Sequence, residues 1–107
     1  MANIRKFLDL AAAHLTPRDA DYLEESCVRG AANTSTVSSR MEHGFFVYAS
    51  EESGDDVPGN IKRAMAKARE LGCDYLLFDQ DAEPCEGLPV FDSETGQEAT
   101  WEELQAA

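Results

Sequence analysis

The densest group of potential metal ligands in this 107-residue sequence directly follows the apolar run Leu76–Phe78. Carboxylates at the end of a strand can converge on a hard cation such as Mg²⁺. The Asp-x-Asp start of this group also matches phosphotransfer enzymes that use an aspartate nucleophile, but these need a downstream Lys, and no Lys follows Lys67. We therefore predict a solvated loop without metal or other cofactor, and we keep a metal-dependent enzyme using Asp79 and Asp81 as the alternative. The four carboxylates are Asp79, Asp81, Glu83 and Glu86.

A second candidate for chemistry is the pair His14 and Asp9, five residues apart. A histidine beside a carboxylate can act as a general base. A single histidine in a loop more often makes one structural hydrogen bond, so we predict no catalytic residue and keep His14 with Asp9 as the alternative. Cys85 lies among carboxylates, which raise the pKa of a thiol and suppress the nucleophilic thiolate.

The net charge of −12 is unevenly distributed along the chain. All nine Lys and Arg lie at or before Arg69, whereas residues 70–107 hold eleven acids and no base. This distribution disfavours direct contact with nucleic acid or an anionic membrane, since phosphates are bound by clustered Lys and Arg. It is compatible with a cationic partner, a metal ion or solubility alone, and our leading hypothesis is a non-enzymatic interaction protein that binds a basic partner. Trp101 either anchors the last helix or belongs to the partner surface. The predicted partner-binding residues are Asp81, Glu83, Glu86 and Trp101.

The cysteine count and the apolar runs indicate the compartment. Three cysteines without a C-x-x-C pair predict neither a disulfide framework nor a zinc site. No segment approaches the roughly 18–20 apolar residues that cross a bilayer. The stretch Phe7–Leu15 contains Asp9 and His14, which makes it a poor signal-peptide core. We therefore expect a cytoplasmic protein.

Most elements can be predicted from periodicity and end signals. Thr16 and Pro17 begin a helix that should run to about Val28, and Thr100 begins a capping box. The segment Ile4–Leu15 fits an amphipathic helix, but a strand over Lys6–Leu10 fits almost as well. The remaining predictions are strands over Thr34–Met41, Phe45–Ala49, Asp74–Asp79 and Leu88–Asp92, a helix from Pro58 to Leu71, a turn at Glu42–Gly44 and a connector over Ser93–Ala99.

These elements predict one α+β domain over residues 1–107, with residues 92–107 as a peripheral extension. If Lys6–Leu10 is a strand, the order is β-α-β-β-α-β. That is the ferredoxin-like arrangement, an antiparallel sheet with two helices on one face. If it is a helix, the sheet has three strands. Open sheet edges also allow a homodimer. We attribute the strand aromatics to core packing. They are Phe45, Phe46, Tyr48, Tyr75 and Phe78.

Several stretches resemble an uncharacterised family of small bacterial proteins, a domain of unknown function often carried on plasmids or other mobile elements. The most specific is Leu71–Ala82, and the resemblance covers most of residues 7–92. It implies that Phe7–Leu10 is a strand. Ala11–Ala13 departs from the family pattern, which has a Ser-Thr pair before Ala-His. The family supplies no activity. The other stretches are Phe7–Leu10, Ala13–Pro17, His43–Tyr48, Asp56–Pro58 and Leu88–Asp92.

Overall fold

The computed structural model describes residues 3–29, 38–42, 44–49, 51, 54, 56–92 and 94–106. These residues form a mixed α+β structure with two sheets and three α-helices. The elements in chain order are β1 (Phe7–Ala11), a 3₁₀ turn (Ala12–His14), α1 (Pro17–Arg29), β2 (Ser38–Met41), β3 (Gly44–Tyr48), α2 (Gly59–Glu70), β4 (Tyr75–Asp79), β5 (Val90–Phe91), β6 (Glu98–Ala99) and α3 (Trp101–Ala106).

The main sheet has the strand order β1-β4-β3-β2. β3 is antiparallel to both of its neighbours, whereas β1 runs parallel to β4, with Phe7 opposite Tyr75 and Ala11 opposite Asp79. The prediction of an antiparallel sheet is therefore wrong for this pair, and the ferredoxin-like strand order is not confirmed. The chain order β-α-β-β-α-β over residues 7–79 is present, with β1 as a strand rather than a helix.

The composition of the two parallel strands explains which of them is central. β4 carries apolar residues on both faces, including the fully buried Leu76 and Phe78, and such a strand is stable between two neighbours. β1 follows Arg5 and Lys6 and carries the exposed Asp9. A charged side chain on an edge strand interferes little with packing and discourages pairing with other chains. β1 accordingly lies at the edge of the sheet.

One face of the sheet, the covered face, packs against both long helices. Residues that lie opposite one another in the register share this face: Leu10, Phe78 and Phe45, and then Leu76 and Val47. Their core cluster also includes the helix residues Leu23 of α1 and Ile61, Ala64, Met65 and Ala68 of α2. Both helices therefore cover the same face, as the α+β pattern predicts.

The start of α1 is fixed by the predicted capping residues. The Asp19 N–H donates to Oγ1 of Thr16 at 3.2 Å, and the Thr16 N–H donates to Oδ2 of Asp19 at 2.9 Å. This reciprocal pair satisfies two amides that the helix itself leaves unbonded. The same Oδ2 accepts a hydrogen bond from Nδ2 of Asn60 at 2.9 Å. The buried Asp19 therefore also ties the start of α1 to the first turn of α2.

The C-terminal residues form a separate two-stranded sheet, β5 and β6, followed by α3. β5 and β6 pair antiparallel, with Val90 opposite Ala99. The predicted capping box begins α3, since the Glu103 N–H donates to Oγ1 of Thr100 at 3.1 Å. The prediction of a connector over Ser93–Ala99 missed β6, because a two-residue strand is too short to show alternation.

The other predicted elements match the structure within one to two residues where both can be compared. Residues 34–37 of the predicted strand Thr34–Met41, and His43 of the predicted turn, lie outside the described residues. None of the described helices is long and apolar enough to cross a membrane.

Candidate functional site

His14 connects the start of the chain to the segment before β5. Its Nδ1–H donates to the carbonyl oxygen of Pro89 at 2.8 Å, and its Nε2 accepts from the Cys85 N–H at 2.9 Å. A carbonyl can only accept and an amide N–H can only donate, so both bonds together require the neutral ring with hydrogen on Nδ1. Burial lowers the pKa of His14, although the bond to Pro89 acts in the opposite direction.

The alternative catalytic pair is not brought together by a hydrogen bond within the described structure. His14 is buried, and both of its ring nitrogens are bonded to backbone groups. Asp9 is exposed on the edge strand β1. A general base needs a free nitrogen within reach of its substrate. The arrangement of His14 serves to hold residues 85–89 against the 3₁₀ turn.

Asp79 and Asp81 lie close together, but in a local turn. The Asp81 N–H donates to Oδ1 of Asp79 at 2.9 Å, which is the bond of an Asx turn after a strand. Within the part of the chain that the structure describes, no group of three or more His, Cys, Asp or Glu residues is arranged to hold a metal ion. Of the two carboxylates of the alternative metal site, Asp79 already accepts a backbone hydrogen bond.

Residues 81–103, here called the acidic segment, carry eight carboxylates and no base. Two of them complete local turns and caps: Asp92 accepts from the Glu94 and Thr95 amides, and Glu103 accepts from Thr100. For the other six, no hydrogen bond or ion pair of the carboxylate is found among the described residues. All six are exposed. They are Asp81, Glu83, Glu86, Glu94, Glu98 and Glu102.

Trp101 lies half-buried within the acidic segment. It lines a cavity of about 360 Å³ together with Ala82, Phe91 and Leu104 on the C-terminal side, and with residues of β1 and the 3₁₀ turn on the other. Ala82 stands between the predicted partner residues Asp81 and Glu83 in the chain. The structure thus places Trp101 and these two carboxylates at the same end of the molecule, whereas Glu86 belongs to the segment that His14 holds through Cys85.

The second face of the main sheet, here called the open face, faces away from the core cluster. Its residues alternate with those of the covered face, and the register arranges them in three rows. At its margins Phe7, Met41 and Tyr48 are 52, 46 and 42 % exposed. The rows are Phe7, Tyr75 and Tyr48, then Asp9, Leu77, Phe46 and Ser39, and then Ala11, Asp79, Gly44 and Met41.

Four aromatic rings are in contact on the open face. Phe46 stacks on Tyr75 with ring centroids 5.1 Å apart, and Phe7 meets Phe46 edge-on at 5.8 Å. Tyr48 meets Tyr75 edge-on at 5.6 Å. Offset-stacked and edge-to-face contacts are the favourable geometries for aromatic pairs. The result is a continuous row of rings with accessible surface at both ends.

Two like charges lie side by side next to these rings. Asp9 is opposite Leu77, and Asp79 follows two residues later on β4, so their carboxylates are diagonal neighbours on one face. The pKa of Asp9 is raised by partial burial, by the negative charge of Asp79, and by a hydrogen bond between the two carboxyl groups that forms when one is protonated. Beside them, Gly44 has no side chain, and a Cβ there would collide with the carbonyl oxygen of Phe78.

The attribution of all five strand aromatics to core packing is therefore wrong for three of them. Phe78 is in the core and Phe45 packs against it, but Phe46, Tyr48 and Tyr75 lie on the open face. The sequence contained a signal for this. Along Phe45–Tyr48 alternate residues point to opposite faces of the sheet, and both predicted helices pack on one face, so the aromatic residues on the other face are not covered by them. Asp9 and Asp79 meet on this face because β1 and β4 are parallel neighbours, which the sequence pattern did not predict.

Comparison with known proteins adds a family but no activity. No curated protein and no solved structure is significantly similar to the chain. Residues 7–93 match the model of a family of unknown function, the DUF5983 C-terminal domain. Because this match covers most of the chain, the protein belongs to the DUF5983 family.

Proposed function

We propose that this protein is a non-enzymatic interaction module that binds a basic protein through its acidic segment. The observation that carries the proposal is the set of six exposed carboxylates on residues 81–102 that no described residue pairs. Carboxylates without partners keep their full hydration and charge, so they attract a cationic surface over about a Debye length. Asp81 and Glu83 provide this charge beside Trp101.

The cavity beside Trp101 supports the same proposal. Protein interfaces combine an apolar, frequently aromatic anchor with a polar rim, and Trp is among the residues that most often dominate binding energy. Here Trp101, Phe91 and Leu104 form an apolar centre, and Asp81 and Glu83 adjoin it through Ala82. A basic segment with one apolar side chain matches this combination of charge and shape.

The biological setting of the proposal rests on the family resemblance alone. We assign the protein to the accessory functions of bacterial plasmids or other mobile elements, and we place the encounter with its partner in the cytoplasm. A partner whose own task is to bind nucleic acid would present the basic groove that the acidic segment requires.

A charge-matched comparison of variants tests the proposal. Basic proteins are captured from lysate on the immobilised protein at about 0.1 M salt, where the screening length is about 10 Å, and are released at about 1 M, where it is about 3 Å. The triple variant Asp81→Asn, Glu83→Gln, Glu86→Gln should lose the partner. The control Asp21→Asn, Glu51→Gln, Glu70→Gln removes the same charge from exposed sites elsewhere and should retain it.

Two results would contradict the proposal. One is equal binding by both triple variants, which would show that only total charge matters. The other is a captured protein that stays bound in high salt, since an interaction based on exposed charges cannot persist there. Replacement of Trp101 by Ala should weaken capture without changing its dependence on salt.

A further inference from the structure

We propose that the open face of the sheet is a docking surface for an arginine side chain of a basic protein segment. This surface adjoins the acidic segment at one end, where Ala11 and Trp101 line the same cavity. The inference stands whether or not the acidic segment binds a partner. It is carried by two features that lie next to each other: the row of four aromatic rings and the carboxylates of Asp9 and Asp79.

The aromatic row is the first feature. Phe7 and Tyr48 remain 52 and 42 % exposed although they contact other rings. Exposed apolar surface that is contiguous, rather than scattered, marks an interaction site in soluble proteins. The faces of aromatic rings also carry negative electrostatic potential, which attracts cations placed above them.

The carboxylate pair is the second feature. The exposed Asp9 and the half-buried Asp79 repel each other, and no described Lys or Arg is found to neutralise them. Asp9 and Phe46 flank Leu77 from opposite sides, on strands that are two apart in the sheet and therefore roughly 10 Å from each other. A guanidinium above Leu77 can rest its plane on Phe46 and donate hydrogen bonds to Asp79.

The charges decide between the possible occupants. A second copy of the chain would bring another −12 against this face, together with its own Asp9 and Asp79. A single-stranded nucleic acid can stack on aromatic rings, but its phosphates would meet the two carboxylates. Arginine fits better than lysine, because its guanidinium is planar, stacks on rings and binds carboxylates through two parallel hydrogen bonds.

The test is an NMR titration of the full chain with two probes, a tetra-arginine and a tetra-lysine peptide. We expect tetra-arginine to shift the amide signals of Phe46 and Leu77. It should bind about fivefold more tightly than tetra-lysine, because only a guanidinium can stack on a ring and bind a carboxylate through two parallel hydrogen bonds. The variant Asp9→Asn, Asp79→Asn should abolish this preference. Its matched control, Asp21→Asn, Glu70→Gln, removes the same charge from exposed sites on the helices and should keep it.

Three results would overturn the inference. Equal affinity for the two peptides would mean that the rings do not recognise guanidinium. Shifts confined to residues 81–103, with equal effects of both double variants, would show that the peptides bind the acidic segment alone. A dimer in light scattering that Phe46→Leu dissociates would show that a second copy covers this face. Because asparagine removes a repulsion, the Asp9 and Asp79 variant is expected to fold, and unchanged signals of the core residue Phe78 would verify it.

Discussion

On the covered face of the sheet Leu10, Val47 and Phe78 are fully buried, whereas on the open face Phe7 and Tyr48 remain about half exposed. The polar groups differ in the same way. The buried Asp19 and Ser26 are hydrogen-bonded on the helix side, and no buried side-chain polar atom among the described residues lacks a partner. On the open face two carboxylates repel each other. The covered face is buried and fully paired, whereas the open face keeps exposed rings and two carboxylates that repel each other.

Truncation of one ring on each face gives the largest expected contrast. Phe78→Ala should lower the free energy of unfolding by about 3–5 kcal/mol, since it removes a fully buried ring and leaves a cavity. Phe46→Ala should lower it by about 1 kcal/mol, because its half-buried ring leaves less apolar surface to lose. Urea unfolding followed by fluorescence or circular dichroism measures both changes.

Leucine variants at the same two sites provide a control for this comparison. If Phe78→Ala does not fold, Phe78→Leu provides a milder change at the same site and should still cost more than Phe46→Leu. Equal losses on the two faces would contradict the division into a covered and an open face. They would imply that Phe46 contributes to a core as fully as Phe78 does.

The His14 hydrogen bonds should give the next largest effect. His14→Ala leaves the Pro89 carbonyl and the Cys85 amide without their partner and should lower the free energy of unfolding by about 1–3 kcal/mol. Hydrogen exchange of the Cys85 amide should increase in the same variant. The control His43→Gln removes the other histidine of the chain. Slow exchange at Cys85 in His14→Ala would contradict the role of His14 in holding this segment.

The pH dependence of stability follows from the same ring. Burial lowers the pKa of His14 below its ordinary value of 6.5, so the unfolded chain takes up a proton before the folded one. The contribution of the neutral His14 ring to the free energy of unfolding is therefore present above about pH 6.5 and is lost as the pH falls through the folded-state pKa. The free energy of unfolding should change by at most about 1.4 kcal/mol per pH unit. Urea unfolding between pH 8 and 5 should show this slope in the native protein and not in His14→Gln. A slope that persists in His14→Gln and disappears in His43→Gln would assign it to His43.

Local signals in the sequence predicted the elements better than their arrangement. Thr16 with Asp19 and Thr100 with Glu103 fixed two helix starts, because capping acts within four residues. The parallel pairing of β1 with β4 and the bond between His14 and Pro89 join residues far apart in the chain, and no local pattern encodes them. The row of aromatic rings on the open face was partly predictable. The alternation over Phe45–Tyr48 was visible in the sequence. It indicates an uncovered aromatic face only once both helices are known to pack on the opposite face.

The smallest expected effect is a mutation that stabilises the protein. Because the pKa of Asp9 is raised, its protonated form is favoured by folding, and that contribution is present below about pH 3.8 and lost as the pH rises through the folded-state pKa. Repulsion from Asp79 is one cause of the raised pKa of Asp9, so Asp9→Asn should increase the free energy of unfolding at pH 7, by at most about 0.5 kcal/mol at this exposed position. The gain should vanish at pH 3. Asp21→Asn, an exposed acid on α1, should leave stability nearly unchanged. If Asp9→Asn instead destabilises the protein at pH 7, the carboxylate of Asp9 has a stabilising partner, and the open face is already complete without an external cation.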